Sequence, residues 1–154
     1  MSSCKRLART GFTLIELMVV MVILVLLAAL VLPRVMNRAE EARRKTSIIQ
    51  MSGLRGALEQ YQVDNSGKIP SSEQGLDALL HEPTSSPKPK RWRGPYLKDT
   101  DAVPTDGWGN EWNYISLENN RSYHLWSLGA DGVEGGDDLD ADINSWERST
   151  WAEG

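Results

Sequence analysis

Six of the chain's 21 acidic residues fall between Asp131 and Asp142, where no lysine or arginine occurs. Three glycines, Gly132, Gly135 and Gly136, are spaced through the same stretch, and a fourth, Gly129, stands just before it. Carboxylates and backbone carbonyls on a chain flexible enough to wrap are what calcium needs, since it takes six to eight oxygen ligands. The spacing is not that of an EF-hand, which places acids at alternate positions before its glycine and a glutamate at its end. The residues alone leave two readings open, a calcium loop and a solvated acidic turn. Other chemistry has less to work with. His81 and His124 are the only histidines, and no nucleophile, base and orienting acid are spaced for catalysis, so no enzyme is expected. The single cysteine, Cys4, leaves no pair to staple a domain. A net charge of -4 argues against a nucleic-acid partner.

The elements that must carry this loop begin with an apolar run. From Phe12 to Leu32 only Thr13 and Glu16 are polar, and at helical rise the run reaches ~30 Å, the thickness of a bilayer's hydrocarbon core. It is expected to span a membrane as residues 12–33. A secretory signal would have a shorter apolar region ending in a small-x-small cleavage site. Thr13 and Glu16 have capping-box spacing, which is one reading of the acid. A carboxylate in lipid costs a few kcal/mol, and the other reading is that it serves a partner. Lys5, Arg6 and Arg9 precede the run, and Arg34, Arg38, Arg43, Arg44 and Lys45 follow it. Charge counting alone therefore favours the leader outside, if either side.

Pro33 predicts a kink or a loosened turn, with the helix continuing beyond it. Ile48, Met51, Leu54, Leu58 and Tyr61 recur at spacings of three and four and draw one apolar stripe, which Asp64-Asn65-Ser66-Gly67 stops. One helix from about 13 to 64 would be ~80 Å long. Ser71 and Gln74 have capping-box spacing ahead of Leu76, Leu79 and Leu80, predicting a short amphipathic helix with His81 capping carbonyls at its end. A proline-rich loop from Glu82 to Pro95 follows. Lys88, Lys90, Arg91, Arg93 and Lys98 cluster in and just after it, a solvated basic loop or one that meets an acidic surface on a second subunit. Asp106-Gly107-Trp108-Gly109-Asn110 reads as turns. Trp112–Leu117 and Ser122–Leu128 are rich in aromatic and β-branched residues and predict a hairpin, with His124 packed on one face beside Trp126 and Leu128. Trp108, Trp112, Trp126 and Trp146 are expected to form the core of a small head. The tail after Ile143, ending Trp151-Ala152-Glu153-Gly154, is expected to be disordered.

The basic leader, Gly11 and Phe12-Thr13-Leu14-Ile15-Glu16-Leu17 resemble the processing site of the type IV pilin class. SLGADG from Ser127, the Gly135-Gly136 pair, DADI from Asp140 and a following Trp resemble the major pseudopilins of type II secretion systems, as do Gly94-Pro95-Tyr96-Leu97 and Trp108-Gly109-Asn110. The resemblance covers nearly the whole chain. It implies a pilin-like α+β fold, in which the long N-terminal transmembrane helix continues into a small head with a short helix and a small antiparallel sheet. The divisions would be a cleaved leader (1–11), a transmembrane and filament-core helix (12–33), and a periplasmic part (34–154) carrying a calcium loop at 128–142. It implies cleavage between Gly11 and Phe12 by a prepilin peptidase on the cytoplasmic side, which overrides the charge count, and methylation at Phe12. Glu16 would face the amino terminus exposed on a neighbouring subunit. Asp131, Asp140 and Asp142 would supply carboxylates to calcium and Leu128 and Val133 carbonyls, with Asp138 as an alternative carboxylate. That family usually has proline where Gly107 stands, a departure expected to loosen the turn.

The implied function is that of the major structural subunit of a pseudopilus, a homopolymer anchored singly in the inner membrane with its head in the periplasm. Its partners would be minor pseudopilins and the inner-membrane secretion platform, and its growth, driven by a cytoplasmic ATPase, would help move folded exoproteins across the outer membrane. Two alternatives are a type IV pilin for adhesion or twitching, against which the cysteine-free mature chain counts, and a membrane-tethered periplasmic calcium-binding module or enzyme.

Overall fold

The computed structural model describes residues 11–147, the side chains of 30–36 excepted. The chain divides into two compact units, Met1–Arg38 and Ala39–Gly154. One helix, α1, runs from Leu14 to Asp64, with no break in its helical backbone at Pro33. The expected capping box forms at its start: the Thr13 N–H donates to Glu16 Oε2 (3.5 Å) and the Glu16 N–H to Thr13 Oγ1 (3.3 Å). From Leu14 to Leu27 the apolar side chains of the first unit are exposed. Among the described residues no helix is long and apolar enough to cross a membrane. The expected anchor runs on into positions 30–36, whose side chains lie outside the described residues, as does the leader 1–10.

In the second unit the stripe along α1 becomes the core. Met51, Leu54, Leu58 and Tyr61 are buried, and Leu76, Leu79, Leu80, Leu97, Trp112, Leu125 and Ile143 close over them. The helix stops where the sequence requires. Gly67, at positive φ, donates its N–H to the Gln62 carbonyl, and Asn65 turns its Nδ2 back onto the Tyr61 carbonyl, satisfying end groups that the helix cannot.

The Ser71–Gln74 box also closes, with reciprocal bonds of 3.0 and 3.2 Å. It closes a turn and does not start an amphipathic helix. The helical element that follows is a single 3-10 turn, η1, at Leu76–Leu79, which positive-φ Gly75 separates from the box. This is enough to bury Leu76, Leu79 and Leu80. His81 pairs through Nδ1 with the exposed Asp77 carboxylate at 3.0 Å, where the sequence suggested that it caps carbonyls.

Strands β1 (Asn113–Leu117) and β2 (Ser122–Ser127) form the expected antiparallel hairpin, joined by Glu118, Asn119 and Asn120 in left-handed conformations. A two-residue strand, β3 (Ile143–Asn144), pairs antiparallel with β2, giving the order β1-β2-β3. Strand alternation puts Leu125 and Ser127 inward, so His124 and Trp126 lie on the other face. There His124 stacks on Trp146 at 4.1 Å, and Trp126 meets Trp146 edge-on. The four tryptophans therefore do not share the core. Trp112 is buried, Trp108 packs partly against the core, and Trp146 is 51% exposed. The chain after Ile143 stays paired at first, with the Ser145 N–H donating to the Leu125 carbonyl and Glu147 bonding Asn144. The remainder of the expected disordered tail, Trp151 included, lies outside the described residues.

Candidate metal loop and its supports

Three devices hold the acidic loop against the head. The first runs through Asp106, a buried carboxylate at 5% exposure. Its Oδ1 accepts from the N–H groups of Trp108 (3.0 Å) and Asn110 (2.8 Å) and its Oδ2 from Ser127 Oγ at 2.6 Å; the Ser127 oxygen accepts in turn from the Gly129 N–H at 3.2 Å. A charged acceptor with several donors satisfies the burial cost that a lone carboxylate would carry. The Asp106 turn thereby fixes the residue at which the loop leaves β2.

The second device ties the same turn to α1. Gly107 donates its N–H to Ser47 Oγ at 2.8 Å, Ser47 donates to the Arg43 carbonyl, and the Trp108 indole N–H reaches Glu40 Oε2 at 2.7 Å. A Cβ on Gly107 would collide with the Arg43 carbonyl oxygen. Glycine here does not loosen the turn, as its departure from the family's usual proline suggested. It lets the turn seat directly on the helix backbone and supplies an N–H that proline lacks.

The third device grips the loop's far side. Arg44 donates through Nη1 to the Ala141 carbonyl at 2.6 Å, and burial lowers the guanidinium's pKa from its ordinary value. Gly129 and Gly136 both crowd the Asp140 carbonyl, leaving no room for a Cβ at either position. Glycine is required twice for this approach.

Between these supports Asp142 donates its N–H to the Gly135 carbonyl (3.2 Å) while its Oδ2 accepts from the Gly135 N–H (3.1 Å). Its Oδ1 is buried and, among the described residues, has no hydrogen-bond partner. Asp131 Oδ1 accepts from the Val133 N–H at 3.1 Å. Val133 is 62% exposed, Asp138 and Asp140 are exposed, and Leu128 is half-buried. Among the described residues no three of His, Cys, Asp and Glu are grouped so as to hold a metal ion. The expected donors are oxygen only, three carboxylates and two carbonyls, the chemistry calcium takes, and among the described residues Asp142 Oδ1 is a buried carboxylate oxygen with no hydrogen-bond partner, a condition that a cation would relieve.

Sequence reasoning passed over Asp106, Ser47 and Arg44. A carboxylate inside an Asp-Gly-Trp-Gly-Asn turn was a signal for Asp106, since Asp commonly bonds backbone N–H groups two residues on. At the other end of the chain, Gly11 and Phe12, the expected processing site, precede α1 and both are exposed.

Residues 34–146 match the family described as Type II secretion system (T2SS), protein G, and residues 6–32 match the prokaryotic N-terminal methylation motif. The chain is 46% identical over 145 residues to the type II secretion system core protein G of Pseudomonas aeruginosa, covering 94% of this chain and 99% of that one. It is 41% identical over 139 residues to the core protein G of Vibrio cholerae, covering 90% and 92%. Among solved structures it resembles the major pseudopilin of the type 2 secretion system of enterohaemorrhagic Escherichia coli, with a TM-score of 0.58 and 29% identity over 72% of this chain and 92% of that one.

Proposed function

This chain belongs to the type II secretion system protein G family, and from that premise we propose how it serves as the major structural subunit of the pseudopilus. The subunit sits in the inner membrane by one N-terminal span, with its head in the periplasm. A prepilin peptidase cuts between Gly11 and Phe12, Phe12 is methylated, and the subunits polymerise through the apolar helix, whose side chains from Leu14 to Leu27 are exposed. Glu16 sets register by facing the amino terminus of a neighbour. The homopolymer meets minor pseudopilins and the inner-membrane platform, and its growth helps drive folded exoproteins across the outer membrane. The role is mechanical, with no catalytic residue.

Calcium, held by carboxylates of Asp131, Asp140 and Asp142 and carbonyls of Leu128 and Val133, would act structurally. It would neutralise a loop with six acids and bind the orphaned Asp142 Oδ1. The Asp106 turn, Arg44 and the paired glycines position the backbone on which those oxygens stand.

The observation that carries the reading is the joint match of the head to the protein G family and of the N-terminus to the methylation motif. The test is the full chain produced with its secretion machine. Mass spectrometry should find a mature amino terminus at methylated Phe12, shearing should release filaments, and deleting the chain should stop exoprotein release. A retained leader, with secretion unaffected by the deletion, would overturn the reading in favour of a membrane-tethered calcium-binding module.

A further inference from the structure

A basic cleft and an acidic loop lie toward opposite ends of the head's part of α1. At the C-terminal end of α1, a cleft of about 250 Å³ is lined by Tyr61, Asn65, Ile69, Lys68, Lys88 and Lys90. Asn65 builds it. Its Nδ2 caps the helix on the Tyr61 carbonyl while its Oδ1 accepts the Arg91 N–H at 3.1 Å, which holds the basic loop against the helix end. Lys68 donates to the Asn119 carbonyl at the hairpin tip. Lys88 and Lys90 are exposed, and among the described residues neither is in an ion pair.

The acidic loop is held at the other end, near Arg44. From Arg44 to Asp64 α1 climbs about 30 Å. If calcium takes Asp131, Asp140 and Asp142, the loop still presents Glu134, Asp137 and Asp138, all exposed and none in an ion pair among the described residues. The two surfaces are too far apart to meet within one head.

We propose that the cleft lined by Lys68, Lys88 and Lys90 receives the Glu134–Asp138 arc of a second copy of this chain. A surface on one copy then meets a different surface on the next. Such a heterologous contact leaves a free cleft and a free loop at the two ends of any assembly, and so propagates as an open polymer and not a closed dimer. Opposite charge steers and registers the contact more than it tightens it. Calcium bound by Asp131, Asp140 and Asp142 would act on this contact only indirectly, by fixing the arc from which the three free acids project. The inference rests on the filament reading above and adds a contact between heads to the one between anchors.

The test uses the full chain in its secretion machine, with sheared filament yield as readout. Lys88→Glu with Lys90→Glu should lower the yield at least tenfold, as should Glu134→Lys with Asp137→Lys and Asp138→Lys. Combining both sets should restore at least half of the parental yield. Because the mature chain has no cysteine, Lys90→Cys with Asp137→Cys should give a disulfide ladder under mild oxidation, and either substitution alone should not. Each variant's melt in detergent should match the parent's, which separates lost contact from lost fold. Parental yields in both reversed sets, no restoration on combining them, or no ladder in intact filaments would overturn the contact while leaving the pseudopilus reading in place. Absence of filaments from the parental chain would instead count against that reading itself.

Discussion

Two stretches of the head are held in place by different physics. Between Met51 and Tyr61 one face of α1 is sealed by side chains with almost no exposure: Met51, Leu54 and Leu58 are fully buried and Tyr61 is 2% exposed. Between Asp131 and Asp142 not one residue is buried. Two glycines packed on a carbonyl, an arginine from α1 and a few backbone bonds keep that loop in shape. Apolar burial scales with area and needs no partner from solution. Among the described residues the loop also holds a buried carboxylate oxygen with no hydrogen-bond partner, a cost that a bound cation would relieve.

The largest effect should come from the frame. Leu58→Ala removes a side chain at 0% exposure from the middle of the core and should cost about 3 kcal/mol. In melts of the full chain in detergent the loss should be the same with calcium and with chelator. A loss that depended on calcium would mean that frame and loop are one cooperative unit and not two. Asp106→Ala, at the joint between the two regions, should cost about 2 kcal/mol by leaving the Ser127 hydroxyl and two backbone N–H groups without their acceptor. Unlike Leu58→Ala, it should also shrink the calcium response, because it frees the point from which the loop departs.

How much of each region could be read in advance follows from the same contrast. The frame announces itself by period. Spacings of three and four from Ile48 to Tyr61 and the β-branched and aromatic runs around Glu118–Arg121 predicted α1 and the hairpin almost to the residue. Periodicity does not report which strand face turns inward when both are aromatic. Trp126 is therefore expected in a core that Leu125 and Ser127 in fact occupy. Strand β3, only two residues long, has no period to read. The loop's composition suggested a cation, but the residues that build it speak through tertiary contacts. Arg44 is 97 positions from the carbonyl it holds, and Ser47 is 60 from the amide it accepts. Gly129 and Gly136 looked like flexibility and act as clearance for the Asp140 carbonyl.

A smaller effect isolates the loop. Adding calcium at a few tens of times its Kd should stabilise the full chain by roughly 2 kcal/mol, seen as a rise of several degrees in Tm over the chelated sample. Asp142→Asn keeps an oxygen for the Gly135 N–H while removing the charge. The variant should melt with the chelated parent and gain nothing from calcium. Equal gains in variant and parent would remove Asp142 from the site and return the loop to a solvated acidic turn.

The smallest effect probes the frame by pH. Burial, and secondarily the neighbouring Tyr96, push the Tyr61 phenol up to about 12, and burial raises Tyr114, whose hydroxyl donates to the Pro70 carbonyl at 2.7 Å. A phenol held neutral by the fold stabilises it fully below the unfolded pKa near 10 and loses that contribution as pH climbs through the folded value. Moving from pH 8 to 10.5 should therefore lower stability by about 1 kcal/mol for Tyr61 alone, and Tyr61→Phe should flatten the fall. The loop should not take part. No tyrosine or lysine lies between Asp131 and Asp142, so the gap between calcium and chelator melts should stay constant while both curves descend together. A gap that widened or closed above pH 9 would tie the loop to the ionisation of the core, and the two regions would no longer be separable.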